Sequence, residues 1–185
     1  MRVFVLCTGR CGSVTFIEAC QHIDNYTAGH ETRFREYGPA RFDYPDGHIE
    51  ADNRLSWFLG GLGRAFGADP LYVHLRRDPE QVARSFVGRW NKGRANIMGA
   101  FGQAVIPGPF PRPEEQRLDV ARFYVDTVRT NIEAFLATVP NTMTVDLEHA
   151  PEQFPEFWRR IGAEGDLDAA LGEFEHRHNA APAAG

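Results

Sequence analysis

Between the apolar run Val3-Phe4-Val5-Leu6-Cys7 and the helical stripe Phe16, Cys20, Ile23 lies Thr8-Gly9-Arg10-Cys11-Gly12-Ser13, an arginine between two glycines where a strand hands over to a helix. The first amides of a helix lack internal partners and carry the positive end of its dipole, so such a turn holds an anion when the backbone can come close. Gly9 and Gly12 permit that approach, Ser13 and Thr15 bring hydroxyls, and Arg10 brings a permanent planar cation. A nucleoside-triphosphate loop reads G-x-x-x-x-G-K-[ST], and this stretch has neither the spacing nor the lysine. A tyrosine-phosphatase loop places an arginine six residues after its cysteine, whereas Cys7 reaches Ser13 by that count and Cys11 reaches Ile17.

A second segment, His74-Leu75-Arg76-Arg77-Asp78-Pro79-Glu80-Gln81, ends another apolar run and starts another helix. Asp78 serves as N-cap, Pro79 fits the first turn, and Gln81 completes a capping box. Arg76, Arg77, Arg84, Arg89, Lys92 and Arg94 gather here with only Asp78 and Glu80 against them, a local basic cluster in a chain of net charge −5. Ser85 lies within the same helix, eight residues beyond Arg77.

These two segments together resemble the sulfotransferases that use 3′-phosphoadenosine 5′-phosphosulfate (PAPS). Arg10-Cys11-Gly12-Ser13-Val14-Thr15 is similar to their 5′-phosphosulfate loop, [KR]-S-G-T-T, and Arg77-Asp78-Pro79 with Ser85 and Phe86 to their 3′-phosphate motif, R-x-P followed by S-[YF]. The resemblance spans most of the chain and extends weakly to Thr144-Val145-Asp146-Leu147-Glu148. It implies that the amides from Cys11 to Thr15, including those of Gly12 and Val14, cradle the 5′-phosphosulfate with the Ser13 and Thr15 hydroxyls. Arg10 then neutralises charge at the bridging oxygen, and Arg77 and Ser85 bind the 3′-phosphate.

The family also uses a base for the acceptor hydroxyl, a histidine or a glutamate at a strand end. His48-Ile49-Glu50-Ala51-Asp52-Asn53-Arg54-Leu55-Ser56-Trp57-Phe58 resembles the E-K-S-x-x-Y-F stretch of carbohydrate sulfotransferases, which places the base at Glu50, with His48 second. Asp52, a rival, reads first as a helix cap. Two features depart from the family. Val14 stands where a threonine is frequent, and the C-terminal G-x-x-G-x-x-K segment is absent, leaving Asn91-Lys92-Gly93-Arg94 to close over the 3′-phosphate.

The elements that must position these residues follow from periodicity. Strands are expected over residues 3–7, at His48-Ile49-Glu50-Ala51, over 71–75 and at Thr142–Leu147, and helices over 13–23, from Asp52 to Phe66, after Asp78, from Val120 to Val139, and through Phe154, Phe157, Trp158 and Ile161. Residues 24–47 read as an irregular, aromatic-bearing region and 93–117 as a mobile Gly- and Pro-rich flap. Alternation of this kind predicts an α/β domain, a mainly parallel central sheet with helices on both faces in a P-loop-like three-layer sandwich. One domain is expected over residues 1–178, with 179–185 a frayed tail.

Bulk composition bounds the function. A net charge of −5 and a pI near 5.8 disfavour a nucleic-acid coat or a polybasic membrane anchor. No apolar run reaches the length of a transmembrane segment, and no secretory leader is legible. Cys7, Cys11 and Cys20 match no zinc spacing and no disulfide framework, so the expectation is reduced thiols in a cytoplasmic protein without a metal. The resemblance thus implies an enzyme moving a sulfuryl group from PAPS to a small-molecule, lipid or glycan hydroxyl, with 3′-phosphoadenosine 5′-phosphate (PAP) as product. The alternatives are a small-molecule kinase on a degenerate P-loop and a non-catalytic nucleotide-binding module. Acceptor and oligomeric state have no signature here.

Overall fold

The structure is a computed structural model that describes residues 1–90, 97–106, 108–109 and 112–175. Among them are five strands in one parallel sheet, ordered β2-β3-β1-β4-β5: β1 (Val3–Leu6), β2 (Thr27–His30), β3 (His48–Ala51), β4 (Leu71–Arg76) and β5 (Thr142–Asp146). Phe4 pairs with Glu50 on one side and Tyr72 on the other, which sets which side chains share a face.

Strand alternation divides the core into two layers. Val3, Val5, Ile49, Ala51, Val73 and Val145 face α1 (Ser13–Cys20), α6 (Ala150–Ile161) and α7 (Leu167–Gly172), where Phe16, Phe154 and Phe157 meet edge to face or tilted. Phe4, Leu6 and Tyr72 face α2 (Leu59–Phe66), α3 (Pro79–Val87) and the long α5 (Glu114–Leu136), whose Tyr124, Val128 and Ile132 are buried. The domain is therefore the expected three-layer α/β sandwich, helices on both faces.

Four local expectations need correction. The region 24–47 contains β2, whose Thr-Ala-Gly-His sequence has little strand propensity and which is held by its ladder to β3. Asp52 caps a 3-10 turn over Asn53–Trp57, accepting from the Arg54 amide, and α2 begins only at Leu59. Within the expected flap, α4 (Ile97–Ala100) and a π-helical turn (Phe101–Val105) bury Met98 and Phe101 against Tyr124, so apolar packing overrides the glycine-rich composition. The basic cluster is partly neutralised: Arg76 pairs with Asp146, and Arg84 shares Glu80 with Arg122. Lys92, Arg94 and the tail 179–185 lie outside the described residues.

α1 leaves the centre of the sheet on one face and α3 on the other, so the chain turns in opposite directions after β1 and after β4. The crevice between the carboxyl ends of these two strands is the switch point at which open α/β sheets bind ligands. Both sequence motifs open into it.

Candidate functional site

The loop from Gly9 to Gly12 is built from left-handed backbone. Gly9, Arg10 and Gly12 have φ of 79°, 60° and 83°, and a non-glycine residue at such an angle is a local strain that the surroundings must hold in place. Two contacts hold it. Tyr124 donates to the Thr8 carbonyl at 2.8 Å from below, and Arg77, the residue after β4, donates to the Arg10 carbonyl at 3.3 Å. Gly12 is required twice over, since a Cβ there would stand 2.4 Å from Leu147 Cδ1. α1 starts at Ser13 with no side-chain cap, so its opening amides stay directed at the crevice.

Two thiols lie buried beneath the loop, and their environments part them. A hydrogen bond from Cys7, aided by the amides of Gly9, Cys11 and Ser13, draws the Cys11 thiol below its usual range despite complete burial, while the same pairing and burial push Cys7 well up. Above the loop the cations converge. Arg10 donates from Nε to Ser85 Oγ at 3.0 Å, and Arg77 reaches the loop and Gln81. Burial, then the cations of Arg89 and Arg77, pull the Arg10 guanidinium below its ordinary range. A guanidinium whose charge is disfavoured by burial and by two neighbouring cations is a place that an anion would stabilise.

The sequence candidates divide by depth. Ser13 and Thr15 are buried at the start of α1, Cys11 lies fully buried beneath, and Gly12 and Val14 are half-buried. Ser13 Oγ shares a 3.0 Å hydrogen bond with His30 Nε2, from the carboxyl end of β2. Glu50 is wholly inaccessible: one oxygen accepts from the Thr32 amide at 2.8 Å, the other from the Thr32 hydroxyl at 2.6 Å, and His48 Nε2 lies 3.0 Å from that second oxygen. His48 bonds Thr27 through Nδ1 and stacks on Tyr44, whose hydroxyl accepts from Arg41. Arg41 in turn pairs with Asp52, itself without exposed surface, and burial raises that carboxyl although Arg41 and the Arg54 amide oppose it. Sequence reasoning did not find His30, because a lone histidine carries no motif.

The aromatic residues of 24–47 also separate. Tyr26 is anchored to the Ile161 carbonyl and Tyr44 is buried, whereas Tyr37 is open to solvent. Tyr37, Pro39, Arg41, Phe42, Phe58 and Arg64 line a mostly apolar cavity of about 420 Å³.

No protein-family model matches the chain, and no curated protein matches it in sequence. Among solved structures the fold is similar to that of mouse sulfotransferase SULT7A1 complexed with PAP, at a TM-score of 0.57 and 10% sequence identity. The match covers 94% of this chain and 63% of the mouse protein, so the chain spans less than two thirds of that neighbour's length. The likeness establishes a sulfotransferase-like fold. Among the described residues, no helix is long and apolar enough to cross a membrane.

Proposed function

We propose that the protein is a PAPS-dependent sulfotransferase acting on a hydroxyl acceptor. The observation that carries this reading is the meeting of the two motifs at the switch point, where Arg10 of the loop binds Ser85 of α3 with Arg77 and Arg89 beside them. A donor with anionic groups at both ends of an adenylate suits a site with two cationic walls, and the fold neighbour is itself complexed with PAP.

In this reading the amides of Cys11 to Thr15 and the hydroxyls of Ser13 and Thr15 hold the 5′-phosphosulfate, and Arg77 and Ser85 take the 3′-phosphate. The donor supplies a sulfuryl group that passes in line to the acceptor oxygen through a loose, charge-spread transition state, by analogy with phosphoryl transfer. The protein therefore acts by positioning and by charge stabilisation, with Arg10 neutralising the leaving oxygen. The proton acceptor comes from the β2–β3 edge of the sheet, with Glu50 and His48 on β3. The 420 Å³ cavity beside Phe42 and Phe58 is available for the apolar body of a small acceptor. The reaction as drawn uses no metal. The three free, buried thiols fit a cytoplasmic setting.

The test is incubation with labelled PAPS and a panel of sugars, phenols, sterols and lipid alcohols, with mass detection of an added sulfonate. Thermal shift with PAP against ATP accompanies it, because a ligand stabilises only a fold that binds it. Stabilisation by ATP alone would move the reading to a kinase, and stabilisation by PAP with no transfer to a binding module.

A further inference from the structure

β2 alternates Thr27 and Gly29 toward the Glu50 side of the sheet with Ala28 and His30 toward the α1 side. His30 is thus the last residue of its strand, on the face where α1 begins, and its imidazole already touches the first residue of that helix. It is half-buried, whereas Glu50 has no exposed surface and lies on the opposite face.

The turn that follows is strained and heavily braced. Glu31 has φ of 55°, an angle costly for a non-glycine residue. Its amide donates to the Ala51 carbonyl at 3.0 Å, its carboxylate lies 2.6 Å from the Arg54 guanidinium, and the next residue, Thr32, is gripped twice by Glu50. Gly29 makes room for this, since a Cβ there would stand 2.3 Å from Thr32 Cγ2 and 3.2 Å from Glu50 Oε2. All these contacts converge on the backbone that presents His30.

We propose that His30 is the general base for the acceptor hydroxyl, and that Glu50, supported by His48, is a positioning residue that fixes the β2 turn. The inference rests on the sulfuryl-transfer reading above. The acceptor O–H proton passes to an imidazole nitrogen of His30, the freed oxygen forms the new O–S bond, and the bond from sulfur to the bridging oxygen breaks. That oxygen keeps the electron pair and leaves on PAP, so charge and atoms balance. The nearest charged groups to His30 along the chain are the Glu31–Arg54 pair on its own turn, while Glu50 and His48 lie on the other face of the sheet.

The experiment uses the full chain as wild type, His30→Asn, His30→Gln and Glu50→Gln, with PAPS as donor and p-nitrophenol, N-acetylglucosamine and water as acceptors. His30→Asn and His30→Gln are expected to keep the PAP thermal shift and the KM for PAPS while kcat falls about 10²-fold or more. Both lose the acid limb of the pH–rate profile, which a merely structural role would not move. Glu50→Gln is expected to lower melting temperature and kcat yet keep that limb. Independently of activity, the His30 ring-proton NMR signal, assigned by its loss in His30→Asn, should shift on adding PAP or inorganic sulfate. A His30 variant within threefold of wild type with an unchanged profile, or a ring signal unmoved by PAP, overturns the base assignment while sulfuryl transfer stands. A wild type that binds PAP but transfers to none of the three also overturns it, and a wild type that does not bind PAP overturns both readings.

Discussion

Arg10 Nε lies 3.0 Å from Ser85 Oγ, joining a loop after β1 to a helix after β4 across 75 residues of sequence. The contact makes the loop and α3 one electrostatic unit, and it places the Arg10 side chain where a ligand spanning the crevice would displace it from serine to anion.

The two arginines of this unit should separate in their kinetics. Arg10→Ala is expected to lower kcat by about 10²–10³-fold with a modest change in PAP affinity, the scale of removing one preorganised donor from a developing charge. Arg77→Ala should instead weaken PAP binding by roughly tenfold or more, as befits a charge-assisted contact. Steady-state kinetics beside PAP titration calorimetry checks the division. Equal losses in both parameters from both variants would contradict it.

Gly12 offers a test of the loop's shape independent of its charge. Gly12→Ala meets an unfavourable backbone angle worth about 1–2 kcal/mol and a collision with the Leu147 side chain. A melting temperature lower by roughly 3–8 °C follows for a domain of this size, with loss of the PAP shift. Leu147→Ala in the same chain removes the collision and leaves the angle, so it should restore part of the stability and little of the binding. Calorimetric melting of the single and double variants decides this, and full recovery of both would show that the angle is unimportant.

The parts legible in the sequence were those written in local chemistry. Apolar runs gave β1, β3, β4 and β5, and Asp78, Pro79 and Gln81 marked the start of α3, which the Gln81 amide confirms by donating to Asp78 at 2.8 Å. What escaped was whatever depends on neighbours far along the chain. β2 is a strand because β3 offers it a ladder, and α4 is helical because Tyr124 and Val120 accept Met98 and Phe101. Arg76 and Arg84 looked like members of one basic patch because Asp146 and Arg122, their partners or competitors, lie far off in sequence. The motifs marked the Gly9–Gly12 loop, but only the pairing of β2 with β3 brings His30 to Ser13.

The buried Arg41–Asp52 pair should behave as an interdependent unit. Asp52→Asn or Arg41→Met leaves one member without its partner in the interior, at a cost of about 3–5 kcal/mol. The double variant Arg41→Met with Asp52→Leu removes both charges and should cost less than the sum, although the Arg54 amide and Tyr44 hydroxyl lose partners. A double-mutant cycle in urea measures the coupling, and simple additivity would show that the two charges act separately.

His74 sets an acid limit on stability. It sits in β4 between Leu6 and Thr144, 2% exposed, and burial first, then the cations of Arg76 and Arg129, push its imidazole down from 6.5 to about 4, with Asp146 opposing. In the folded chain it is neutral throughout the neutral range, whereas in the unfolded chain it takes up a proton as pH falls below about 6.5. The unfolded state therefore binds more protons between 6.5 and about 4, and stability falls as pH drops through that window, by about 3 kcal/mol at its lower end. Above pH 7 the group adds no slope. His74→Leu, which keeps an apolar filling of similar size, should flatten the decline over this interval while leaving acid unfolding by carboxylate protonation in place. Urea midpoints for wild type and variant from pH 4.5 to 7.5 read the difference, and parallel curves across that range would place the acid sensitivity on another group.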